Sequence, residues 1–213
     1  MAEPSSVPRR ELRDPGVLRA LSHPLRLTLL EELANLGQAT ATELAERIGE
    51  SPANCSWHLR QLAKYDLIEE GTGGTGRQRP WRWINQSIGV GDPGDDDPAE
   101  FTHARDGLLD VLLSREVEAL RAWMATKDTA PAEWSEASFV TQSLHWMTLR
   151  ELAVFKAELE ALVERHILDR LDRADPQNRP ESSQPVRFVA WSIPAKPAPE
   201  LPSDNPPPTE EEQ

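Results

Sequence analysis

Two helix-start signals stand eleven residues apart with a glycine between them, and that spacing limits what the chain can become. Thr40 and Glu43 form a capping-box pattern, T-x-x-E, in which each side chain answers a free backbone N–H at a helix start. Leu44, Ala45 and Ile48 continue this short helix, and Gly49 ends it. Ser51 follows as an N-cap with Pro52 in the first helical turn, so a new helix begins almost at once. Two short helices joined by a tight Gly-containing turn are the helix-turn-helix pattern. Upstream, HPLRLTLLEELANLG carries leucines at 25, 29, 30, 33 and 36 in one helical stripe, with Pro24 at its start and Gly37 as its stop.

The helix expected over 52–65 has two unlike faces at 100° per residue. Cys55, Leu59 and Leu62 share a narrow apolar face that should pack on the preceding helices. The opposite face carries Trp57 and Lys64, flanked by Ala53, Asn54, Arg60 and Gln61. Arg, Gln and Asn make paired hydrogen bonds to base edges, while Lys and Ser address phosphates, so this face suits a DNA major groove. The plainer alternative is an ordinary solvated face. Trp57 counts against it, because a tryptophan aimed away from the core usually has a partner. A protein partner stays open beside DNA.

After this helix come Leu67-Ile68-Glu69-Glu70, the loop GTGGTGRQRP and Trp81-Arg82-Trp83-Ile84, which predict strand, hairpin loop and strand. Arg77 and Arg79 then fall where the tip of such a wing lies along a minor groove or a phosphate row. Arg82 alternates with two aromatics and should face the other way from them. Gly71, Gly73 and Gly76 satisfy G-x-G-x-x-G, but a dinucleotide site needs a helix to open inside that loop. Pro80 and the tryptophans continue as strand instead, and Arg77-Gln78 replaces the Lys-Ser/Thr of a P-loop.

Charge points to the same segment. The 213 residues hold 23 Lys+Arg against 36 Asp+Glu, a net −13. Residues 1–85 contain eleven of each sign, so the whole excess lies beyond them. An acidic chain repels nucleic acid unless its bases are gathered on one surface. Only the first segment offers that, through Arg60, Lys64, Arg77, Arg79 and Arg82.

These residues carry a resemblance. LRALSHPLRLTLLEEL followed by TATELAERIGESPANCSWHLRQLAKYDLIEE resembles the ArsR-type winged-helix transcriptional regulators, most of all the actinobacterial type with a long helical C-terminal extension. The resemblance covers roughly residues 10–88, and its most specific piece is Ser51…Ser56-x-His58-Leu59-x-x-Leu62. It implies that Ser51, Ser56 and His58 contact DNA phosphates or bases, and that the protein is a homodimer on a near-palindromic operator. Many family members have glycine after the recognition helix, where this chain has Asp66. Metal-sensing members carry paired cysteines or His/Asp pairs; here Cys55 stands alone and on the inner face, so no metal is expected.

The rest of the chain is read from composition and periodicity. Residues 89–100, GVGDPGDDDPAE, are expected as a linker. Residues 101–193 are expected as a helical accessory or dimerisation region with a short terminal strand at 184–193. One apolar stripe runs through Leu109, Leu112, Leu113, Val117, Leu120 and Met124, and a second from Leu152 to Leu171. An intramolecular core is the first expectation for these stripes and a dimer seam the second. Trp134, Phe139, His145, Trp146 and Met147 between them suggest core packing or, less directly, an effector pocket. Residues 194–213, with seven prolines, are expected to be a disordered tail.

The expected fold class is therefore mainly α: an N-terminal winged helix-turn-helix of three helices plus a β-hairpin wing, a helical region, and a Pro-rich tail. One cysteine excludes an internal disulfide, no run approaches a membrane span, and the N-terminus lacks a signal-peptide core. A soluble, cytoplasmic, non-enzymatic regulator of double-stranded DNA without cofactor is the expectation, with a small-molecule effector left open. A protein-interaction module on the same fold is the alternative.

Overall fold

A computed structural model describes residues 10–74, 79–84, 88–94, 97–167, 170, 172–173 and 175–195. The chain runs β1 (Arg10–Leu12), α1 (Pro15–Leu21), α2 (Pro24–Leu36), β2 (Gln38–Ala39), α3 (Ala41–Ile48), α4 (Pro52–Ala63), β3 (Ile68–Glu70) and β4 (Trp81–Trp83). It continues with β5 (Ile88–Val90), α5 (Ala99–Thr126), α6 (Ala132–Ala137) and α7 (Leu149–His166). Single 3-10 turns occur at Lys127–Thr129 and Pro176–Asn178.

Each N-terminal helix starts on the side chain its sequence provides. The Gly16 N–H donates to Asp14 at 2.7 Å, and the Leu25 N–H to Nδ1 of His23 at 3.2 Å. Thr40 and Glu43 close the full capping box, and the Asn54 N–H donates to Ser51 Oγ at 3.2 Å. Gly49, in the left-handed region at φ 73°, turns the chain from α3 into α4. The glycine at the end of α2 has a second duty. A Cβ at Gly37 would meet the Pro176 ring at 2.7 Å, because the C-terminal part of the chain returns there. Arg179 in that returning segment donates to the carbonyls of Ala34 and Asn35, capping α2 with a cation.

The core joins α1 to α4 through Leu18, Leu29, Leu33, Leu44, Leu59 and Leu62, all fully buried. β4 lies between β2 and β3 in an antiparallel sheet, with Glu69 opposite Arg82 and Ile68 opposite Trp83. Arg82 is exposed while Trp81 and Trp83 are half-buried against the core. The helix expected over 52–65, α4, ends at Ala63 rather than Tyr65, and Asp66 then takes φ 54°, the conformation that glycine adopts most cheaply.

Three expectations are corrected. Residues 89–100 are not a free linker: Gly89 and Val90 lie in β5, which pairs in parallel with β1, and Ala99 opens α5. Arg13 reaches Asp97 at 3.0 Å, and Arg105 reaches the Gly91 carbonyl at 3.0 Å and Asp92 at 2.6 Å. The glycines and prolines exclude a helix there, but they do not exclude pairing with a strand far upstream. The helical region is likewise not separate, since Phe101, Ala104 and Leu108 of α5 are buried in the N-terminal core. Finally, residues 184–193 form no strand; they are irregular, with Arg187 paired to Glu31 and Glu116.

The apolar stripes of the second half do not build an intramolecular core. α7 has no buried residue, Leu113 and Met124 on α5 are exposed, and Trp146 is fully exposed in the irregular stretch 138–148. That stretch therefore does not pack as a core. Among the described residues, no helix is long and apolar enough to cross a membrane. The expected tail lies, from residue 196 onward, outside the described residues.

Candidate nucleic-acid interface

α4 is held by one face and free on the other. Cys55, Leu59 and Leu62 are fully buried against the N-terminal core, which fixes the rotation of the helix. That rotation presents Trp57, half exposed at 50 %, together with Ala53, Arg60 and Lys64. Gln61, Asn54 and Ser56 are half-buried along the edges of this face.

Several of these side chains already have partners. Arg60 donates to Ser56 Oγ at 3.0 Å, and Asn54 donates from Nδ2 to Glu50 at 3.0 Å. Lys64 holds its ammonium 5.4 Å from the centre of the Tyr65 ring. Ser51 is exposed and accepts the capping bond from Asn54, which leaves its hydroxyl hydrogen available to a phosphate oxygen. On the hairpin, Arg79 pairs with Glu70 and Arg82 with Glu69, the latter at 2.7 Å. Such exposed ion pairs contribute about 0–1 kcal/mol, so exchanging Glu70 for a phosphate costs Arg79 little. Arg77 lies outside the described residues.

His58 is placed differently from what the resemblance implies. Its ring is only 5 % exposed, packed 4.4 Å from the His23 ring and edge-on to Trp57 at 4.7 Å. It therefore serves as a base under Trp57 rather than as a surface contact. The helical period explains this, because position 58 lies one residue from the inward Leu59. His58 Nδ1 is buried with no hydrogen-bond partner among the described residues. Burial holds the His58 imidazole below the usual histidine range, helped by His23 and Arg26 and opposed by Glu50. Burial and then Arg26 do the same to His23. A neutral His23 is also what its N-cap role requires, since a protonated Nδ1 cannot accept the Leu25 N–H.

His23 is the residue that reading the sequence missed. Its signal was the His-Pro pair opening α2, where a side-chain acceptor beside a first-turn proline is a cap. His23, His58, Glu50 and Asn54 line a shallow groove of about 630 Å³ between α2 and the start of α4. No group of three or more His, Cys, Asp or Glu among the described residues is placed to hold a metal ion.

Residues 21–71 match the family model for a helix-turn-helix domain, a span that contains α2, α3, α4 and β3. The match supports a DNA-binding regulator in general. Comparison with curated proteins gives no match.

Proposed function

We propose that the protein is a sequence-specific transcriptional regulator of the ArsR type, acting as a homodimer on a twofold operator. α4 enters the major groove, where Arg60 and Gln61 read base edges and Trp57 makes apolar contact with them. Ser51, Asn54, Ser56 and Lys64 meet the flanking phosphates, and Arg77 and Arg79 carry the hairpin along the backbone as a wing. The observation that supports this reading best is the outer face of α4: a buried seam fixes the helix so that its cationic and aromatic side chains face solvent together. Groups positioned before binding lose little freedom on binding.

The test is selection of fragmented genomic DNA on the full-length protein, with a Trp57→Ala/Arg60→Ala variant in parallel. A short twofold motif enriched by the wild type alone is the expected result, with the Arg60→Ala change by itself costing about 1–3 kcal/mol on that motif. No enrichment at low salt from folded protein would overturn the reading. The exposed Trp57, beside wing arginines already paired with Glu69 and Glu70, favours a protein-interaction module as the second reading. That module would bind a protein partner through α4 and show no salt-sensitive DNA affinity.

A further inference from the structure

The joint between α2 and α4 holds two imidazoles that the proposed reading of DNA does not use. The His23 ring lies 4.4 Å from that of His58, and His58 carries Trp57 edge-on at 4.7 Å. Three rings therefore run in series from the N-cap of α2 to the outer face of α4. Both imidazoles are built into the fold as neutral groups. Nδ1 of His23 accepts the Leu25 N–H, which a proton there forbids. His58 is buried, and its Nδ1 has no hydrogen-bond partner among the described residues. A protonated His58 would thus hold an N–H in the interior with no acceptor, and its ring would have to turn to find one.

The backbones on either side are pinned. Arg26 of α2 donates to the Arg19 and Ala20 carbonyls at the end of α1, and α4 is seated through the buried Cys55, Leu59 and Leu62. Strain from a charge at this joint therefore falls on the rings. The charged groups that act on the pair are Arg26, which opposes a proton on either ring, and Glu50 in the turn before α4, which favours one on His58. Glu50 is itself engaged by Asn54 at 3.0 Å. Other charges on the elements packed against α4 have partners elsewhere: Arg19 pairs with Glu100, Arg47 with Glu32, Glu69 with Arg82 and Glu70 with Arg79. Pro24, Leu25, Thr28 and Ile48, which complete the lining of the groove, do not titrate.

We propose that the His23–His58 pair is an acid-sensitive switch on the reading face: a proton on the pair turns His58, displaces Trp57 and weakens DNA binding. The output rests on the regulator reading, while the movement of the rings does not need DNA. Its sign is diagnostic. A histidine that met phosphates from the surface would become a cation in acid and tighten DNA binding. A buried base under Trp57 does the reverse. Because burial resists the charge, the change falls below the reference value of about 6.5.

The test pairs a DNA-free and a DNA-bound measurement on the full chain between pH 7 and pH 5, with far-UV circular dichroism showing that the fold holds throughout. Fluorine NMR of protein labelled with 5-fluorotryptophan follows the seven indoles, and Trp57→Phe identifies the Trp57 signal. That signal should shift as pH falls and stand still in His58→Phe, which keeps an aromatic base under Trp57 but takes no proton. Affinity for the selected motif should fall several-fold over the same range, by no more than Trp57→Ala costs at pH 7. In His58→Phe the ratio of the two affinities should stay near one. A Trp57 signal indifferent to pH, one that moves equally in His58→Phe, or a wild-type affinity that holds level or rises in acid overturns the proposal. If His58→Phe does not fold, the wild-type signal and the sign of the wild-type profile still decide. If no DNA is bound at any pH, the regulator reading fails, and the Trp57 signal alone decides whether the switch exists.

Discussion

Replacing Phe101 with alanine should destabilise the N-terminal domain even though the residue follows a Gly/Pro/Asp-rich stretch that resembles a domain boundary. Phe101 is 1 % exposed and packs in the same cluster as Leu18 and Leu59. Losing its transfer from water removes about 1.5–3 kcal/mol, and the cavity left between α1 and α5 brings the total to about 3–5 kcal/mol. The Arg13 guanidinium, 5.8 Å from the ring centre, would lose its cation–π contact as well. Against a total stability of about 5–15 kcal/mol for an ordinary domain, that is a large fraction. Urea unfolding at one fixed protein concentration, followed by circular dichroism, measures it. His103→Ala, an exposed change on the same helix, should stay within about 0.5 kcal/mol. A loss below 1 kcal/mol for Phe101→Ala would show that α5 is an appendage and that the core ends before residue 89.

Two further outcomes follow from local chemistry. Asp66→Gly should raise stability by up to about 1 kcal/mol, since glycine meets φ 54° without the Cβ penalty; unchanged or lower stability in thermal unfolding would count against strain there. His23 and His58 have folded-state values below the unfolded one, near 6.5, so the unfolded chain takes up protons first as pH falls. Their stabilisation is thus complete above that value and lost progressively below it. Urea midpoints should fall between pH 7 and pH 5, and fall less in His58→Leu; a flat profile in the wild type would refute it.

How far the sequence was legible depends on whether the deciding contact was local. Capping residues act within three positions, so the starts of α3 and α4 at Thr40 and Ser51 could be read directly, as could the stops at Gly37 and Gly49. The inner face of α4 followed from the period alone. His58 did not, because one residue's rotation separates a groove contact from a buried base, and only the packing of His23 decides between them. β5 was invisible for a related reason. Its partner β1 lies in another part of the chain, and three residues of parallel pairing leave no alternation to detect. The 184–193 segment shows the converse, with strand-forming residues that pair with no strand among the described residues.

α5 connects the two halves of the argument mechanically. Its 28 residues span about 42 Å at 1.5 Å per residue. The first turns are buried against α1 in the helix-turn-helix core, whereas Leu113, Val117, Leu120 and Met124 further along stand exposed. One continuous helix therefore begins in the core that carries α4 and ends among exposed apolar side chains. The outer end is joined to the N-terminal core by a helix with no break between Phe101 and Thr126. Arg115 and Arg187 both hold Glu31 of α2, so the returning C-terminal segment braces the same junction from the other side. On the regulator reading, a partner held at the outer end of α5 would therefore bear on the core that positions α4.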